Sequence, residues 1–149
     1  MQNIQHLAQF LAVFCSSVFA GAAVYINVVE HPARMSCGTE TAAAEFAPSY
    51  KRAAVMQASL AALSFIASVA AWLAGAGGWW LTGGIVQGSV IPFTLLFIMP
   101  TNHELLDPSL DKESPKANQL LLRWGRLHAV RSVLGTAALL IFLSCLMSR

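Results

Sequence analysis

The sequence predicts an all-α integral membrane protein, an antiparallel bundle of four transmembrane helices. Three observations lead there. Apolar residues make up 56% of the 149 residues and charged ones only 11%, against about a quarter charged in soluble domains. Four apolar stretches are each long enough to cross a hydrocarbon core, which takes about 20 residues at ~1.5 Å of rise each. The charges are lopsided: all seven acids, and every base except Arg131 and Arg149, fall between the first and second stretches or between the third and fourth. In lipid the backbone must satisfy its own hydrogen bonds, so the stretches are predicted as helices, near residues 7–29, 53–75, 79–99 and 127–147 of one transmembrane domain spanning 1–149. The positive-inside rule then places the first and third loops in the cytoplasm and both termini on the opposite side.

The first six residues, Met1 to His6, lack the basic start of a signal peptide, so the first helix is expected to be retained. A stripe of Ser16, Ala20, Ala23 and Asn27, continuing to Glu30 or His31, runs along that helix at spacings of three and four. Small residues let helices approach and polar ones avoid lipid, so this stripe should face the bundle. Pro32 disfavours helix at the residue before it and predicts a helix end at His31. The first loop is expected to run from Ala33 to Ser49 with a short surface helix over residues 41–46, and Tyr50-Lys51-Arg52 to mark re-entry. Gln57, Ala61, Ser64 and Ser68 give the second helix a similar stripe.

Gly75 to Gly78 reads as a tight hairpin at the far face, flanked by Trp79 and Trp80 as an aromatic belt. The third helix carries Gly84 and Gly88, a small surface suited to packing within the bundle or to a homo-oligomer. Pro92 should kink it, and it leaves the membrane through Pro100-Thr101-Asn102-His103-Glu104. After a polar loop, residues 117–124 should begin the fourth helix. Its entry, Trp124-Gly125-Arg126-Leu127-His128-Ala129-Val130-Arg131, sets an indole, an imidazole and a guanidinium at i, i+4 and i+7 on one face. That face continues small at Ser132, Gly135 and Ala138.

Topology gathers Asn27, Glu30, His31, Gln57, Asn102, His103, Trp124, His128 and Arg131 at one membrane face. An ionisable residue inside a span is a functional candidate by default, and four polar faces converging predict a cavity. Cys15, Cys37 and Cys145 form no CxxC pair, which argues against a thiol oxidoreductase. A net charge of +2 is too small and too scattered for nucleic-acid binding. His31, His128 and Glu30, with His103, form an alternative set of ligands for copper, iron or haem, although no pair has the HxxxH or HxxE spacing of a helix-borne metal site. A non-catalytic small-molecule binder or accessory membrane protein is the remaining alternative.

Three runs in order, Val29-Glu30-His31-Pro32-Ala33-Arg34, Ile91-Pro92-Phe93-Thr94 on to Pro100-Thr101-Asn102, and Trp124 to Arg131, resemble the DUF1772 family, whose best-known members are anthrone oxygenases. The resemblance covers almost the whole chain. It implies a membrane oxidase or oxygenase that oxidises a polycyclic phenolic ketone with O2, with no established metal or flavin requirement. An anthrone's acidic methylene gives, on deprotonation, an anion able to reduce O2, so a cofactor is not compulsory and none is predicted. Such chemistry needs a base and anion stabilisers. His128 is the expected base, with His31 the alternative and Arg131 and Asn102 as stabilisers. Trp124 would stack on the ligand and Glu30 would orient a histidine or balance Arg131, with Asn27 and Gln57 completing the substrate site.

Overall fold

In a computed structural model that describes residues 2–148, the chain forms four long helices: α1 (Gln2–Ser36), α2 (Thr39–Ala76), α3 (Gly78–Leu105) and α4 (Pro115–Met147). Each is long and apolar enough to cross a membrane, and the chain reads as a multi-pass membrane protein. Each helix packs against its neighbours in sequence, and α4 closes the ring against α1. Arg149, the one base expected at the far face, lies outside the described residues.

The helices outrun the predicted spans at the charged end. The first loop, expected to occupy residues 33–49, shrinks to a turn at Cys37 and Gly38. Gly38 takes φ 91°, a left-handed conformation that a side chain would strain, and α2 begins at once with an alanine-rich turn. The expected short helix over 41–46 is the start of α2, which continues through Pro48. Gly77, at φ 92°, reverses the chain in the same way at the opposite end.

Pro32 does not end α1, contrary to the sequence expectation. A proline ring crowds the carbonyl four residues back and offers it no N–H. Here that carbonyl lies in a wide π turn, Ile26–Glu30, in which the His31 N–H reaches the Ile26 carbonyl five residues back. Pro100 is accommodated identically by the π turn Thr94–Ile98, closed by the Met99 N–H on the Thr94 carbonyl. Pro92 lies just before that turn, inside continuous helix. The α4 start is conventional: Ser114 caps it by accepting from the Ala117 N–H at 3.2 Å, with Pro115 in the first turn. In the preceding loop the Ser109 N–H and hydroxyl both donate to Asp107 Oδ1, at 2.8 and 2.7 Å. These bonds hold that carboxyl below the usual aspartate range.

Three apolar layers stack along the bundle. At the Gly77 end Trp80 stacks on Phe142 at 5.5 Å, surrounded by Ala8, Ala12, Ala67 and Ala71. Phe19, Ala23, Ala61 and Val90 fill the middle. Phe46, Ile98, Leu121 and Trp124 fill the charged end. Between layers, Ser16 donates to Gln87 Oε1 at 3.0 Å and Ser64 to the Ala12 carbonyl at 2.9 Å. The face of Gly84 and Gly88 is filled by Ser68 and Phe65 of α2, a close approach that only glycine allows.

Candidate functional site

A polar cavity lies between the helices at the charged end, just beyond the Phe19 layer. It is walled by Glu30 and Arg34 of α1; Ser49, Tyr50, Ala53 and Gln57 of α2; Ile98 and Asn102 of α3; and Trp124, His128 and Arg131 of α4. Six of the eight predicted site residues therefore meet there: Glu30, Gln57, Asn102, Trp124, His128 and Arg131. The cavity is narrow. About 20 Å³ is open to the centre of a water molecule, room for one water-sized species.

His128 is 2% exposed, and its ring nitrogens are distinguishable. Nδ1 lies 2.7 Å from Asn27 Oδ1. The Asn27 amide is itself oriented, because its Nδ2 donates to the Gly125 carbonyl at 3.1 Å and the Ser132 hydroxyl sits 2.5 Å from Oδ1. Nδ1 must then carry the proton and donate, which leaves Nε2 with a free lone pair. Asn27 does not line the cavity, where it was expected at the substrate. Both ends of its amide are spent on orienting His128. Ser132, read from sequence only as a small residue, also reaches the Ala23 carbonyl at 2.9 Å. Its place one turn after His128 was the available signal.

Arg131 donates from Nη2 to Gln57 Oε1 at 2.9 Å, and its guanidinium rests over the Phe19 ring at 5.6 Å. Gly135 makes that seat: a Cβ there would fall 2.6 Å from the Phe19 ring. Among the described residues the salt bridges pair Arg34 with Glu30 and Glu45, and Lys116 with Glu104. Glu30, expected to orient a histidine or balance Arg131, is therefore committed to Arg34, and it also accepts from Ser49 Oγ at 2.9 Å.

His31 does not border the cavity with His128, as the sequence suggested it would. The π turn carries it to a different wall, where its ring packs on Trp124 at 5.3 Å and against the backbone of Gly125. Trp124 in turn stacks on His128 at 4.8 Å and meets the edge of Phe46. The alternative ligand set of His31, His128 and Glu30 is thus not assembled, and His103 is exposed. Among the described residues no three His, Cys, Asp or Glu side chains gather as metal ligands would.

Four long apolar helices around a donor-lined cavity at one end define a multi-pass membrane protein with a small internal polar site. The chain belongs to the anthrone oxygenase family, whose model matches residues 46–141. It is 28% identical over 137 residues to the anthrone oxygenase tpcL of Aspergillus fumigatus, an alignment covering 85% of each chain. No solved structure matches it.

Proposed function

We propose that the protein is an O2-dependent oxidase of an anthrone-like polycyclic phenolic ketone, with His128 as general base. The observation that carries this is the Asn27–His128 pair, which leaves Nε2 free on the wall of a cavity that also holds Arg131. His128 Nε2 takes a proton from the substrate methylene, and the electron pair moves through the ring onto the ketone oxygen. Arg131 and Asn102 stabilise that oxygen. The anion passes one electron to O2, and the two radicals join at the same carbon. The resulting peroxide is protonated by His128. Loss of the second C–H proton and cleavage of the O–O bond leave a carbonyl and water, so one O2 supplies one oxygen to each product.

A tricyclic ligand does not fit the cavity as it stands, so its entry requires lining side chains to move. Tyr50 is the natural candidate, since its hydroxyl is held to α3 by a weak Oη to Met99 Sδ contact at 3.7 Å. The whole chain acts as one transmembrane domain, with the charged end and its cavity facing the cytoplasm as the positive-inside rule directs.

The test is O2 uptake with an anthrone, with and without a chelator. His128→Ala should lose roughly 10² to 10⁴-fold in turnover, the usual worth of a general base, while staying folded. Full activity in that variant would remove His128 from the mechanism. Complete loss on chelation, restored by one metal, would replace the cofactor-free scheme.

A further inference from the structure

The polar atoms left unpartnered around the cavity are mostly donors. Gln57 Nε2, Asn102 Nδ2, Trp124 Nε1 and Arg131 Nε are all buried N–H donors with no hydrogen-bond partner. Their side chains are 2%, 0%, 6% and 9% exposed. Against them stand two acceptors, Asn102 Oδ1 and the His128 Nε2 lone pair. The Gln57 amide cannot be turned to change this balance, because its Oε1 is taken by Arg131. Native structures seldom leave one buried donor unsatisfied, and here four share one cavity with the Arg131 guanidinium, which among the described residues has no carboxylate at salt-bridge distance, the Glu30 carboxylate on the cavity wall being paired with Arg34.

We infer that the cavity is a binding site for a small inorganic monoanion. A buried charge without a counter-ion is strongly unfavourable, whereas an anion held by charge-assisted N–H bonds removes both the charge and the donor deficit. The size agrees, since the open space takes one water-sized species and no aromatic ring. The site stands on this geometry alone. Its use in turnover rests on the oxidase reading: electron transfer to O2 creates a small anion, which this pocket would hold until it joins the substrate radical.

The test uses azide and bromide on chelator-treated full-length protein in detergent, without substrate. Both should raise Tm saturably, as ligands of the folded state do, and sulfate should not. Arg131→Gln should weaken azide about tenfold or more, the loss of a charge-assisted bond. Trp124→Phe keeps the ring and removes one donor, so it should weaken azide several-fold even if Arg131→Gln does not fold. Absence of a saturable effect, or unchanged azide affinity in both variants, overturns the site. In turnover, inhibition competitive with O2 identifies the oxygen-derived anion as the occupant, and inhibition competitive with the anthrone identifies the substrate oxygen. Arg131-dependent azide binding alongside full activity in His128→Ala would keep the anion site and reject the base.

Discussion

Replacing Asn27 by leucine isolates the orientation of His128 from its chemistry. Leucine has nearly the same size and no acceptor. Of the three hydrogen bonds lost, two leave little behind, since Ser132 keeps the Ala23 carbonyl and the Gly125 carbonyl stays on α4. The third strands the His128 Nδ1–H in a nearly dry site, at about 1–3 kcal/mol for an unpaired buried donor. The ring can avoid that cost by moving its proton to Nε2, but Nε2 then ceases to be a base. Either way Tm should fall by an amount matching about 1–3 kcal/mol or less, and turnover should drop by roughly 10² to 10⁴-fold. Asn27→Asp keeps the acceptor and should retain far more activity at similar stability. O2 uptake and thermal unfolding in detergent measure both arms. Unchanged turnover in Asn27→Leu would refute the orienting role, and equal losses in the leucine and aspartate variants would make Asn27 a packing residue only.

Gly135→Ala would push a Cβ to 2.6 Å from the Phe19 ring beneath Arg131, so thermal unfolding should show a loss of about 1–3 kcal/mol from overpacking. Gly21→Ala, which meets nothing within 4 Å, should be neutral or gain up to about 1 kcal/mol in helix propensity and serves as its control. Single cysteines at Glu40 and Lys112 in a cysteine-free background should be labelled by an impermeant reagent from the same membrane face, and one at Trp79 from the other. Labelling of Glu40 and Lys112 from opposite faces would break the antiparallel arrangement.

The spans were legible because lipid leaves the backbone a single solution, and the stripes on α1 and α2 named their inward faces through Ala23, Asn27 and Gln57. The convergence of Asn102, Trp124, His128 and Arg131 followed from topology and i, i+4, i+7 spacing alone. What escaped depended on local geometry that periodicity does not carry. Pro32 reads as a stop, since a plain α-helix cannot pass it cheaply, yet a π turn lets the helix through. That extra residue rotates the chain, so Arg34 turns inward and His31 is buried against Trp124 instead of facing the cavity. The partnership of Glu30 with Arg34 and the task of Ser132 were both written one helical turn away in sequence. Their meaning required knowing which face each turn presents.

The depth of the cavity has a consequence for measuring this protein. From Ala53 through His103 no acidic or basic residue except the final histidine interrupts α2 and α3, and the cavity straddles the level of Lys51 and Arg52, lined by Ser49 and Tyr50 on one side of them and by Ala53 and Gln57 on the other. It therefore sits at the boundary between hydrocarbon and headgroups, the layer in which amphipathic aromatic molecules with one polar edge accumulate. A phenolic substrate of the kind proposed would reach such a site from a two-dimensional reservoir, and its effective concentration would be a mole fraction in lipid. At constant total substrate, added inert lipid or detergent should slow turnover by surface dilution, and apparent KM values will compare only at a fixed ratio of substrate to amphiphile.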